Sequence, residues 1–211
     1  MIETAIVAHQ RRYPDALDLA EKLNAAICMD DCGMGAARNH ERAWTWLKDS
    51  TEPWCLVLED DAVVCADFLN QASMALAHAP SPIVSFYLGR GRPPHWQQRI
   101  AKVIVSEAHW ITATEMLHGV ATAVRTELIP DLLAWIEDQE PVDEAIGDFA
   151  QQNNFEVSYT HPSLVDHRDN GTIMDYHPTR HPDPEHVERN EIRRAWLLGT
   201  RTDWNSSVIA M

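Results

Sequence analysis

Positive charge is scarce in this chain. Seventeen Lys and Arg stand against 32 Asp and Glu in 211 residues, a formal net charge of −15. That balance excludes a broad basic footprint for nucleic acid and leaves room only for a local basic patch. No apolar run reaches the roughly 18–20 residues that a membrane-crossing helix needs. Cysteine is limited to Cys28, Cys32, Cys55 and Cys65, with no Cys-x-x-Cys pair among them. Cys55 also lies in a run that reads as buried, and the four read as reduced thiols of a cytoplasmic chain. A Walker phosphate loop is also missing, because no Gly-Lys-Ser/Thr follows a glycine cluster, and no glycine run has the spacing of a dinucleotide fingerprint.

What remains is the composition of a folded protein, with 45% hydrophobic and 23% charged residues, enough to bury one core. The segment Thr4 to Ala8 lacks a basic region before it and reads as a first strand, not a signal peptide. Strands are further predicted at Ala25–Met29, Trp54–Leu58, Ile83–Leu88, Lys102–Val105, Gly119–Val124 and Glu156–Thr160. Helical spacing follows Pro14, and recurs over Ala36–Lys48, Phe68–His78, Pro130–Glu137 and Val142–Asn153. This alternation predicts an α/β fold with a mostly parallel sheet flanked by helices. We expect a core over residues 1–170. Residues 171–211 would then form a lid loop, a short helix (Glu185 to Leu198) and a tail packed on that core.

The informative segment is Trp54-Cys55-Leu56-Val57-Leu58-Glu59-Asp60-Asp61-Ala62. Three carboxylates follow a buried strand directly, and their repulsion needs water or a cation to relieve it. Alternation puts Glu59 and Asp61 on one side and Asp60 on the other. Ligands of open α/β sheets bind beyond the carboxyl ends of strands, which is where these acids stand. A solvated acidic turn and a site for Mg²⁺ or Mn²⁺ both fit the three residues alone. A second segment, Gly33-Met34-Gly35-Ala36-Ala37-Arg38-Asn39-His40, is a glycine loop opening a helix. Its helix end favours an anion, although taken alone the segment reads rather as an ordinary helix entry with an exposed Arg38.

Together these segments resemble GT-A glycosyltransferases, which use nucleotide sugars. "GMGAARN" is similar to the segment before the DXD strand. "WCLVLEDDA" is similar to the DXD-type motif, above all the family 25 variant, while the glycine loop is nearer the family 2 style. "PVDEAIGDF" resembles the acidic acceptor-side helix, and "PSLVDH" the closing segment whose histidine completes a metal site. The likeness spans roughly residues 3–168.

The resemblance implies a GT-A, Rossmann-like single domain. It also implies a metal-dependent hexosyl transfer from a nucleotide-diphosphate sugar, a UDP-sugar first, to an acceptor hydroxyl, with inversion. Mn²⁺ or Mg²⁺ would be held by Asp61 and His167. Ala8, His9 and Gln10 would line the base and ribose pocket, and Asp30 would contact the base. Arg38 would hold the acidic motif or the diphosphate. Glu59 would reach the metal through water or bind ribose, and Asp60 would hold the sugar or the loop. Asp143 is the first choice for the catalytic base, since Pro141 makes it an early-turn residue; Asp148 is the second and Glu144 the third.

His118, Gly119 and Trp110 would flank the sugar. The acceptor is open: a glycan, a protein or a modified nucleic-acid base. The loop Gly89–Pro94 reads as flexible and basic, near the acceptor side. The loop with His177, His181 and His186 suits a lid better than a zinc site. Two other readings compete. A nucleotidyltransferase that makes nucleotide sugars ranks below, because His9-Gln10-Arg11-Arg12-Tyr13-Pro14 has neither the glycine nor the lysine it needs. A noncatalytic sugar-nucleotide binding module is the third.

Overall fold

Buried apolar strands set the frame, and their C-terminal ends define one working edge. The computed structural model describes residues 2–137, 139–168 and 193–211. Ten strands are present among them: β1 Ile2–His9, β2 Ala26–Asp30, β3 Trp54–Glu59, β4 Ala62–Val64, β5 Ile83–Ser85, β6 Trp110–Ala113, β7 Ala121–Arg125, β8 Val157–Thr160, β9 Val165–His167 and β10 Val208–Ala210. Six helices accompany them: α1 Tyr13–Leu23, α2 Ala36–Leu47, α3 Phe68–Leu76, α4 Pro94–Val103, α5 Ile129–Ile136 and α6 Val142–Gln152. Eight strands form one sheet in the order β10-β6-β8-β5-β7-β3-β1-β2, and β4 pairs with β9 in a separate ribbon. Four of the seven neighbouring pairs in the large sheet are parallel. The fold is thus the mixed α/β, mostly parallel sheet with flanking helices that the alternation predicts.

Trp54 to Leu58 are buried on both faces, which is why β3 reads as an unbroken apolar run. Two cores result. One lies under α2, α5 and α6 and is built from Trp44, Leu47, Ile129, Leu132, Ile146 and Phe149. The other lies under α1 and α3 and includes Leu19, Leu23, Phe68 and Ala72. Each helix presents its apolar stripe to the sheet.

Several sequence expectations need correction. Lys102–Val105 is not a strand. It is the end of α4 and its cap, with Ile100 and Val103 buried one turn apart; a short apolar run does not by itself distinguish strand from helix. The basic loop after Leu88 is held in place. The Gln97 side chain accepts from Gly91 N–H at 3.0 Å and donates to the Gly89 and Arg92 carbonyls at 3.3 and 2.8 Å. Trp110 is fully buried beside Trp204, and its indole donates to the Asn205 carbonyl at 2.9 Å, so it lines no pocket.

The described end of the expected Glu185–Leu198 helix, residues 193–198, is extended. Ala195 bridges to Gly89 and Leu198 to Ser163. The turn at Asp169-Asn170-Gly171 and the lid with His177, His181 and His186 lie outside the described residues. Beyond the bridges, β10 adds an edge strand beside β6.

Candidate metal and donor site

Four connections deliver side chains to the edge where β3 ends. The loop after β1 forms a 3₁₀ turn at Gln10–Arg12. The glycine loop after β2 leads into α2. Because β7 runs antiparallel to β3, the residues before it, His118 to Val120, return to the same edge, and Glu59 N–H donates to the Val120 carbonyl at 2.9 Å. The β4–β9 ribbon sets Ala62 opposite His167, and Arg168 N–H closes it on the Asp61 carbonyl at 2.9 Å. Residues 106 positions apart in the chain therefore share one site.

Glu59, Asp61 and His167 each offer a ligand atom within 4.8 Å of the others. His167 Nε2 lies 3.4 Å from Asp61 Oδ2. Asp61 and His167 are 5% and 3% exposed, so an unpaired polar atom here is costly. Yet Asp61 Oδ1 and His167 Nδ1 have no partner. Two carboxylates and an imidazole, with one oxygen of Asp61 left unpartnered, form an oxygen and nitrogen donor set that fits Mg²⁺ or Mn²⁺. Glu59 keeps about a third of its side chain (33%) open to the cleft, with His40 Nε2 at 3.7 Å.

The charges are unequal. Burial, then the charge of Glu59, pushes the Asp61 carboxyl up to about 6. Burial also acts on Glu59, but the neighbouring His40, with the charges of His167 and Arg193, outweighs it and holds Glu59 below the usual range. Asp60 faces away. It accepts the His9 backbone N–H at 2.8 Å and the Arg12 guanidinium at 3.1 Å, and so ties the loop after β1 to the acidic turn. Burial leaves its carboxyl above the usual range despite both bonds. Arg12 also reaches Asp61. The cation on the acidic motif is therefore Arg12, while Arg38 stands exposed on α2.

Asp30 is buried, and its carboxylate is engaged by the glycine loop. It accepts the backbone N–H groups of Cys32, Gly33, Met34 and Gly35 at 3.3, 2.7, 2.9 and 3.0 Å. Those bonds outweigh burial and lower its proton affinity. Gly33 and Gly35 have φ of +75° and +91°, which only glycine adopts without strain. Asn39 then donates to the Ala8 and Cys28 carbonyls at 3.2 and 2.9 Å, fixing α2 across β1 and β2. We predict that Asp30→Ala frees the loop and destabilises the protein by about 1–3 kcal/mol, since several backbone donors lose one acceptor. Thermal unfolding checks this; an unchanged melting temperature would show the loop self-supporting.

Gln10 is exposed and, with Tyr13, Pro14, Ile27, Met29 and Asp31, lines an open groove of about 740 Å³ beside the ends of β1 and β2. Ala8 is buried, and His9 is half-buried with Nδ1 accepting Arg11 N–H at 3.1 Å. Across the cleft, Gly119 is packed so that a Cβ there would stand 3.3 Å from Glu59 Oε1 and 3.9 Å from the Asp143 Cβ. His118 stacks edge-on to Tyr87 with ring centroids 5.0 Å apart, and its buried Nε2 has no partner. Burial, reinforced by the charge of His167, pulls its imidazole down to about 4.

Asp143 sits in the first turn of α6, half-buried, behind the cap residue Pro141. Burial and the charge of Glu59 raise its carboxyl to about 6. Asp148 and Glu144 are exposed. Asp148 is five positions further along the helix and so faces elsewhere. Sequence reasoning missed Arg12, Tyr87, Asp166 and Arg193. Asp166 accepts from Ala195 N–H at 2.7 Å and Arg194 at 2.9 Å, and Tyr87 Oη donates to the Arg193 carbonyl at 3.2 Å. These bonds return the chain to the cleft after the stretch outside the described residues. The Asp in "VDH" next to a candidate ligand was the available signal for that anchor.

No protein-family model matches the chain, and no curated protein matches it. Solved structures resemble the chain, and three of them each align over 80% of it. A197 from STIV aligns with a TM-score of 0.49 and 12% identity over 86% of its own chain. A glycosyltransferase involved in glycosylation of the major capsid of PBCV-1 aligns at 0.38 and 9% over 96% of its chain. A mutant Drosophila β1,4-galactosyltransferase 7, in complex with manganese, UDP-Gal and xylobiose, aligns at 0.39 and 8% over 71%. All three scores fall below 0.5, so an assignment of activity rests on the side chains of the site.

Proposed function

We propose that the chain is a metal-dependent glycosyltransferase of the GT-A type, moving a sugar from a nucleoside-diphosphate donor to an acceptor hydroxyl with inversion. The observation that carries this reading is the meeting of Glu59, Asp61 and His167 at the β3 edge, with two of their buried atoms unpartnered. Bound there, Mn²⁺ or Mg²⁺ would offset charge on the departing diphosphate. Asp61 and His167 hold the ion, and Glu59, open to the cleft, reaches it or the ribose. The groove at Gln10, Tyr13 and Asp31 suits the base. Arg193, whose charge is felt at Glu59, adds a cation for the phosphates.

Asp143 takes the acceptor proton. An acid raised to about 6 is ionised at neutral pH yet basic enough to accept a proton as the hydroxyl attacks. Gly119 leaves the space between Glu59 and Asp143 clear of a side chain. UDP-sugars are the first donors to try.

The test is release of nucleoside diphosphate from a panel of nucleotide sugars, with Mn²⁺ or with chelator. Slow hydrolysis of one donor, lost on chelation and restored by Mn²⁺, is expected. Pyrophosphate-dependent exchange would favour nucleotidyl transfer instead, and donor binding indifferent to chelator would remove the metal from the mechanism.

A further inference from the structure

The acidic turn already holds a cation, and it is a side chain. The Arg12 guanidinium bonds Asp60 Oδ1 at 3.1 Å and also Asp61 Oδ2. That second oxygen is the one that faces His167 Nε2 at 3.4 Å. One carboxylate oxygen thus serves both the arginine and the space where a metal ion would meet Asp61 and His167. Arg12 is nearly buried, its side chain 13% exposed, so its charge is weakly screened. A dication on either oxygen of Asp61 would stand beside the guanidinium held on Oδ2, and the two cations repel strongly at that range.

Asp60 gives Arg12 a second anchor, itself fixed by the His9 N–H. The turn at Gln10–Arg12 precedes α1, so the side chain can change partners without disturbing a helix interior. We infer that Arg12 is the resident counter-ion of Asp61 in the metal-free protein and that a divalent cation displaces it onto Asp60. Arg12 therefore sets the affinity of the site for the ion. This inference rests on the metal reading above and concerns a positioning residue, not a ligand.

Manganese binding to the metal-free full-length chain tests it, read as free Mn²⁺ by electron paramagnetic resonance, with no donor and no turnover. Arg12→Ala is expected to tighten Mn²⁺ binding about tenfold, the order that removing one nearby cation from a partly buried site gives. Arg12→Lys, which keeps the charge but loses the planar guanidinium whose Nη1 meets both carboxylates, falls between. Arg193→Ala removes a charge that acts on Glu59 without touching Asp61, and should tighten binding by clearly less.

A second readout does not depend on affinity. The Arg12 guanidinium N–H resonance, identified by its loss in Arg12→Lys, should move on adding Mg²⁺ in step with binding. Unchanged or weaker Mn²⁺ binding in Arg12→Ala, with binding still lost in Asp61→Asn, would overturn the displacement and leave the metal site standing. If Asp61→Asn and His167→Ala bind Mn²⁺ as the wild type does, or if no variant binds it, both readings fall. Binding seen only in Arg12→Ala would be the strongest support.

Discussion

On the proposed mechanism, Asp61→Asn is expected to remove Mn²⁺-stimulated turnover, lowering the rate by about 10³-fold, the equivalent of the several kcal/mol a Lewis-acid ion supplies to a leaving group. Donor affinity measured with Mn²⁺ should fall as well, and donor affinity measured in chelator should not. Stability moves the other way. Asp61 titrates near 6 in the folded chain and near 4 when unfolded, so the folded state disfavours its ionised form. Any stability tied to the protonated carboxyl is complete below pH 4 and lost as pH rises through 6.

Asparagine cannot ionise, so the metal-free variant should melt at or above the wild-type temperature at pH 7.5. At pH 4, where the wild-type residue is neutral, the two should melt alike. Loss of activity with retained or raised melting temperature separates a ligand from a merely structural acid. A variant that is inactive because it unfolds would count against this assignment, and Glu59→Gln then offers a less buried test of the same cluster.

The second large effect is expected at α6. Asp143→Asn should lower kcat by about 10²–10⁴-fold, the usual worth of a positioned base, while leaving Mn²⁺ and donor binding in place. In the wild type the rate should fall about tenfold per pH unit below roughly 6, because protonation of Asp143 removes the base. The residual rate of the variant should lack that limb. Asp148→Asn should leave rate and profile unchanged, since that carboxylate stands in solvent. With Mn²⁺ saturating at every pH, so that proton competition at Asp61 is suppressed, an acid limb that survives in Asp143→Asn would move the base elsewhere, and a matching loss in Asp148→Asn would reverse the order of the two acids.

The frame of the fold was legible because its strongest strands are buried on both faces. Trp54-Cys55-Leu56-Val57-Leu58 is an apolar run of strand length, and it runs to the acids without a break. Helices α1, α2, α5 and α6 announced themselves by apolar spacing and by early prolines at Pro14, Pro130 and Pro141. Short elements did not. Ala62–Val64 and Val165–His167 are three residues each and take their strand character from one another, which no local pattern reveals. Lys102–Val105 misled because β-branched residues at the end of α4 imitate a strand.

In the site, the ligand types could be read from residue chemistry, but the partners that tune them could not. Arg12 meets Asp60 and Asp61 across 48 and 49 positions, and nothing in "QRRYP" marks which arginine turns inward. Asp30 is expected to contact the base only through the family resemblance. Four backbone donors in its own loop claim it instead, a use that depends on glycine conformations visible only in three dimensions.

The pairing of Ala62 with His167 has a temporal consequence. Its two halves are separated by most of the sheet in sequence, so loop closure over that span delays their meeting until the strands between them have docked. On the proposed metal reading, ion capture would therefore seal a finished topology and could not seed it. Metal added to an unfolded chain should leave the early refolding rate untouched and slow only the reopening of the completed molecule.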